Sequence, residues 1–257
     1  MLVTVCSVLT NCKFNSRGRV INIIQPLFLL WWGKMKDIVS DEKEIHMKVL
    51  VVGASGRVGE ELVKQLVADG REVVAGTRHT DQDFGAGVTV KNIDLLADEA
   101  TLIGELRPLA VDAIYFVAGS RGKNLLQIDA FGAVKLENAA EALGIKRFIM
   151  LSSWNATSPA EWGEGLRDYN IAKFFADRWL MDNTKLDYTI LQPGSLVEEP
   201  VTGLVALDPT EPGKNAIPNV AAVLAALFQA ENTYRQVITM HDGDVAIPDA
   251  LRELKSI

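Results

Sequence analysis

The sequence predicts a doubly wound α/β fold, a parallel sheet with helices on both faces, and three observations carry that prediction. Short runs of β-branched and apolar residues alternate with helical stretches from residue 48 onward, the pattern of repeated strand–helix–strand units. The first run ends in three glycines spaced G-x-x-G-x-x-G, with a helical pattern directly after. The chain has 257 residues, 48% hydrophobic and 23% charged, which suits one α/β domain, or one with a small appendage.

The first unit reads Lys48-Val-Leu-Val-Val-Gly53-Ala-Ser55-Gly56-Arg57-Val58-Gly59. Gly53 permits a tight strand-to-helix turn, Gly56 lets the backbone approach a bound pyrophosphate, and Gly59 allows close helix–strand packing. Glu60, Glu61, Leu62, Val63, Leu66 and Val67 then continue as a helix, whose N-terminal N–H groups would face the phosphates. Three spaced glycines alone are weak evidence. Between a strand and a helix they predict a dinucleotide site.

The remaining elements follow in order. A strand over Arg71–Arg78 follows the Asp69-Gly70 turn, and a third spans Val88–Asp94. A helix over about Asp98–Arg107 stops at Pro108. Asp112–Ala118 reads as a buried strand followed by Gly119-Ser120. A long helix spans about Leu125–Leu143 and ends at Gly144. Arg147–Ser153 is the next strand, and a Trp-containing loop leads to a helix over about Leu166–Met181. Asp187–Gln192 is a sixth strand, stopped by Pro193-Gly194. Residues 195–218 are irregular and rich in Pro, Gly and acids, and read as a substrate-side loop or lid. A helix over Asn219–Ala230 and a strand near Gln236–Met240 close the pattern.

Composition narrows the function. Net charge is −7 with no long basic run, which argues against nucleic acid as a partner. The only cysteines are Cys6 and Cys12, so the main body has no disulfide framework or cysteine metal site. His46, His79 and His241 are scattered, and no metal site is expected.

Residues 1–46 do not read like the rest. The apolar stretch Val20–Trp32 is short and interrupted by Asn22, Gln25 and Pro26, a poor membrane span. A signal peptide would lack a clear small-residue cleavage site. Lys43-Glu44-Ile45-His46 before Met47 fits a translated bacterial ribosome-binding sequence. The expectation is that Met47 is the native start and residues 1–46 a non-native or disordered leader; an interfacial anchor is the competing account.

A second constellation is Tyr169-Asn-Ile-Ala-Lys173. On a helix, residues four apart share a face, so phenol and ammonium converge on one site. A neighbouring ammonium makes a tyrosine a usable proton donor or acceptor near neutral pH. This helix follows the strand ending in Ser152-Ser153, at the carboxyl edge of the sheet where ligands bind.

With these motifs the chain resembles the short-chain dehydrogenase/reductase superfamily over about Lys48–Gly243. It is most similar to the atypical NAD(P)-binding branch that includes biliverdin/flavin reductases, NmrA-like proteins and epimerase/dehydratase relatives. Further motifs of the resemblance are Asp94-Leu95, Ala133-Val-Lys-Leu136 with Ala139-Ala140, Lys146–Ser153 and Leu186–Gly194. The resemblance implies a Rossmann-like fold, Tyr169 as catalytic acid/base, Lys173 binding the nicotinamide ribose, and Ser153, rather than Ser152, holding the substrate oxygen. It implies further that Asp94 and Leu95 flank the adenine, Ala118 and Gly119 line the cofactor, and Pro193 passes near the nicotinamide. Three positions depart from the pattern: Asp129 stands where many relatives have asparagine, Gln192 where they often have arginine, and Trp154-Asn-Ala-Thr replaces a Tyr-Gly.

Cofactor choice turns on the end of the second strand. It reads Thr77-Arg78-His79, with no acid before Asp81 to hold a ribose 2′-hydroxyl. Arg78 suits a 2′-phosphate instead, with Arg57 in plausible reach, so NADP(H) is favoured over NAD(H). Trp154 and Trp162 either line an aromatic pocket or pack their loop, and Trp179 is expected in the core. The expectation is a cytoplasmic, monomeric or homodimeric NADP(H)-dependent oxidoreductase, acting on a small carbonyl, quinone or flavin-like substrate, with no nucleic acid or membrane partner. A sugar-nucleotide epimerase/dehydratase and a non-catalytic NAD(P)-sensing protein are the alternatives.

Overall fold

The computed structural model describes residues 47–255, and the predicted leader lies outside them. The elements are β1 (Lys48–Val52), α1 (Arg57–Ala68), β2 (Glu72–Thr77), β3 (Val88–Asn92), α2 (Glu99–Leu106), β4 (Ala113–Phe116), α3 (Phe131–Leu143), β5 (Arg147–Leu151), α4 (Arg167–Asn183) and β6 (Asp187–Pro193). There follow β7 (Ser195–Val197), β8 (Leu204–Leu207), β9 (Lys214–Ala216), α5 (Ile217–Leu227), β10 (Gln236–Asp242), β11 (Val245–Ala246) and α6 (Ile247–Glu253).

The main sheet runs β3-β2-β1-β4-β5-β6-β10-β8-β11. Every pairing from β3 across to β10 is parallel; β8 is antiparallel to β10 and to β11. The order reverses between β1 and β4, which opens a crevice beyond their carboxyl ends.

β1 shows why the sheet is covered on both sides. Alternate residues of a strand face opposite ways. Val49 and Val51 pack with Leu62 and Leu66 of α1 and Leu224 of α5. Leu50 and Val52 join the opposite cluster with Leu102 of α2, Leu136 of α3 and Leu180 of α4. Burial on both faces is why the strand reads as an unbroken apolar run.

Local signals place the helix ends. Asp98 caps α2, its carboxylate accepting the Thr101 N–H at 2.7 Å. α3 ends at Gly144, whose φ of 74° lies in the left-handed region.

Several elements differ from expectation. The long helix predicted from Leu125 begins as a π-helical turn over Leu125–Ala130, and only Phe131–Leu143 is α-helical. In that turn Asp129 is fully buried and accepts the Ser120 N–H with both oxygens, at 3.1 and 3.2 Å. Residues 195–218, expected as an irregular loop or lid, hold three short strands. β7 pairs with β9, and β8 extends the main sheet through β10. Backbone pairing, which Pro and Gly content conceals, orders this stretch. The final β11 and α6 were not anticipated. Trp179 is 38% exposed rather than core, its Nε1 donating to Asn138 Oδ1 at 2.9 Å. Trp162 packs edge-on against Phe174 and donates to the Asn155 carbonyl, so it holds its loop in place.

Candidate functional site

A two-lobed cleft occupies the crevice beyond β1 and β4. The first lobe, of 390 Å³, is lined by the ends of β1, β2, β3 and β4. The second, of 690 Å³, runs from the start of α1 to the start of α4. Gly56, Val117, Ala118, Gly119 and Arg121 border both lobes, so the two are continuous.

The glycine turn forms the floor of the junction. Gly53 has φ of 93°, and a Cβ there would lie 2.5 Å from the Ala118 backbone. A Cβ on Gly59 would lie 2.2 Å from the Gly53 carbonyl oxygen, so any larger residue would push α1 off the turn. Gly56 precedes α1 and offers no side-chain cap. Gly56, Arg57 and Val58 border the cleft, leaving the helix N-terminus open to an anionic group. These features fit a dinucleotide pyrophosphate.

The first lobe gathers Ser55, Thr77, Arg78, His79, Asp94, Leu95, Arg121 and Lys123. Thr77 Oγ1 donates to Ser55 Oγ at 2.9 Å and accepts the His79 N–H at 3.0 Å, tying the glycine turn to the end of β2. Asp94 Oδ1 accepts the Leu96 N–H at 2.9 Å. Among the described residues, Arg78, Arg121 and Lys123 form no ion pair. His79, Arg121 and Lys123 were not singled out from the sequence. Arg121 has φ of 53°, an uncommon conformation for a non-glycine residue, at the bridge between the lobes.

Tyr169 and Lys173 border the second lobe from α4. Lys173 is 1% exposed; its Nζ donates to the Leu151 carbonyl at 2.9 Å and lies 5.9 Å from the Tyr169 ring centroid. The helical spacing therefore does bring phenol and ammonium to one wall.

Other expected site residues sit elsewhere. Ser153 and Pro193 are buried and border neither lobe. Ser152 is engaged with Asp177, to which its Oγ donates at 2.6 Å. Arg57 borders the second lobe, apart from Arg78, and pairs with Glu198 at 3.1 Å on the surface. Gly59 supports the turn without bordering the cleft.

Behind Lys173, Asp177 Oδ2 also accepts from Gln192 Nε2 at 2.9 Å. Burial pushes the Asp177 carboxyl up to about 6, against the opposing pull of Ser152, Lys173 and Gln192. Burial pushes Glu137 well above the usual carboxylate range, and the neighbouring Asp177 adds to it. The sequence offered no signal for this pair, because two acids on different helices carry no shared spacing.

Among the described residues no helix is long and apolar enough to cross a membrane.

Comparison with known proteins agrees with the geometry. The NAD(P)H-binding family model matches residues 53–231. A Bacillus subtilis protein named as an uncharacterized sugar epimerase, YhfK, is 34% identical, covering 81% of this chain and 100% of its own. The crystal structure of the oxidoreductase ylbE from Lactococcus lactis is 41% identical with a TM-score of 0.78, covering 81% of this chain and 96% of its own. The anaerobilin reductase ChuY from Escherichia coli O157:H7 is 26% identical with a TM-score of 0.64, covering 77% and 98%. The match spans the glycine turn, the crevice and the Tyr169–Lys173 helix, and the chain belongs to the NAD(P)H-binding family of Rossmann-fold proteins.

Proposed function

We propose that the protein is an NADP(H)-dependent oxidoreductase that reduces or oxidises a small carbonyl, quinone or flavin-like substrate. One observation carries this reading: a single continuous cleft has Arg78 and Lys123, without an ion pair among the described residues, at one end and Tyr169 with Lys173 at the other. The basic groups suit a 2′-phosphate, and the residues that end β2, Thr77-Arg78-His79, include no acid to select a 2′-hydroxyl, although Asp94 lines the same lobe. A bound nicotinamide supplies or accepts the hydride. Tyr169 gives or takes the proton at the substrate oxygen, and Lys173 holds the ribose and fixes the local positive charge. Ser153 borders neither lobe, and this reading gives it no part in the proton transfer.

An epimerase reading draws on the name of the Bacillus subtilis relative. Against it, the described residues after Gly194 add three strands to the main sheet, a two-stranded pair and two helices, rather than building a separate sugar-nucleotide unit. Incubation with NADPH and a panel of quinones, flavins and carbonyl compounds, followed by nicotinamide absorbance, separates the readings. Net NADPH oxidation with one of these classes supports the oxidoreductase. Conversion of a sugar nucleotide without net cofactor change supports the epimerase. Tight cofactor binding with no turnover of either kind supports sensing.

A further inference from the structure

The wall behind Lys173 holds more ionisable groups than a tyrosine–lysine couple needs. Lys173 and Asp177 lie one turn apart on α4, and Glu137 reaches the same interior from α3. Asp177 and Glu137 have no solvent exposure. Ser152, at the end of β5, and Gln192, on β6, both donate to Asp177 Oδ2. Asp177 Oδ1 and both Glu137 carboxyl oxygens have no hydrogen-bond partner among the described residues.

The charges around this cluster can be followed element by element. From α4 come Lys173, Asp177, Tyr169 and the amide Asn170; from α3 comes Glu137. Lys135, also on α3, is committed to the Leu95 and Ala97 carbonyls at 2.6 and 2.5 Å. Asp129 of the π-helical turn is committed to the Ser120 N–H. From the sheet, among the described residues, come the Phe116 ring, 5.5 Å from Lys173 Nζ, the Leu151 carbonyl that accepts from Nζ, and the neutral donors Ser152 and Gln192.

Lys173 Nζ donates to the Leu151 carbonyl at 2.9 Å and forms no direct ion pair with either acid; two ionised carboxylates in its neighbourhood would leave a net negative charge in a dry interior, which is strongly disfavoured. One acid therefore keeps its proton. Asp177 has two donors and Lys173 to favour its charged form, whereas Glu137 has no donor. Glu137 is the protonated partner.

We propose that Asp177, held by Ser152 and Gln192 and backed by a protonated Glu137, is the positioning residue for Lys173. Its charge, one helical turn from Lys173, balances the ammonium that the Leu151 carbonyl holds at the wall of the second lobe, and cofactor affinity follows that charge. The cofactor part rests on the reading that Lys173 meets bound NADP(H); the charge assignment does not.

The test is NADPH titration by cofactor fluorescence, from well below to well above the pH of about 6 at which Asp177 takes its proton. Wild type is expected to lose affinity on acidification through that range. Asp177→Asn is expected to bind on the order of tenfold more weakly at neutral pH and to lose the part of the acid-side dependence that Asp177 supplies. Titration of the cofactor itself is common to both proteins, so the difference isolates Asp177. Ser152→Ala covers the case in which Asp177→Asn does not fold. It removes one donor to the carboxylate, so the loss of affinity should move to higher pH. Infrared spectroscopy of the wild type at neutral pH should show a buried protonated carboxyl stretch that Glu137→Gln removes. Superimposable pH profiles for wild type and the Asp177 or Ser152 variant would overturn the positioning role, as would absence of the infrared band for the charge assignment. Absence of cofactor binding by wild type would instead defeat the oxidoreductase reading, and the infrared result would still decide the pair.

Discussion

Gly53 and Ala118 meet backbone to backbone at the point where the strand order reverses, with room for a hydrogen and not for a methyl group between them. Gly53 ends the β1 turn and Ala118 follows β4, so this contact sets the spacing of the crevice. Gly53→Ala adds a Cβ 2.5 Å from Ala118 and strains a φ of 93°. We expect a loss of about 1–3 kcal/mol of stability together with loss of NADPH binding, measured by denaturant unfolding and fluorescence titration. Gly59→Ala should behave alike, because its Cβ would enter the Gly53 carbonyl.

Arg78 borders the first lobe and has no ion pair among the described residues. Arg78→Ala should weaken NADPH by roughly 10- to 100-fold, the worth of hydrogen bonds to a charged phosphate. NADH affinity should change little. Equal losses for both cofactors would show that Arg78 supports the lobe generally rather than reading the phosphate.

Tyr169→Phe keeps the ring and removes the hydroxyl. Turnover with the acceptor that wild type reduces should fall by roughly 10²–10⁴-fold, while the NADPH dissociation constant stays near that of wild type. A variant that turns over normally would remove Tyr169 from the chemistry.

Asp177 also makes a stability prediction. Its folded carboxyl sits at about 6, above the ordinary value near 3.8, because burial disfavours its charge. A group raised on folding adds stability below its unfolded value, and that contribution disappears as pH rises through its folded value. Wild type should therefore lose stability relative to Asp177→Asn as pH rises from about 4 to 7. Urea unfolding of both proteins across this range measures it, and parallel curves would count against the assignment.

The sheet and the glycine turn were legible because their signals are local. β1 reads as an apolar run since both faces are buried, and Gly53 and Gly59 stand where backbone contacts exclude a Cβ. Tyr169 and Lys173 were legible through helical spacing. What escaped depends on distant pairing. β8 exists because it meets β10, across an intervening α5, and nothing in Leu204–Leu207 announces that. Ser153 was expected in the cleft by resemblance; it is 8% exposed and borders neither lobe. Asp177 and Glu137 join only when α3 and α4 pack side by side. Arg121 and Lys123 reach the first lobe through the loop after β4, whose course the sequence does not specify.

The most direct measurement is fluorescence titration of the protein beginning at Met47 with NADPH and with NADH. The account predicts saturable binding of both, with NADPH clearly tighter. Tighter binding of NADH would contradict the role given to Arg78 and the first lobe, and binding of neither would contradict the account of the cleft as a cofactor site.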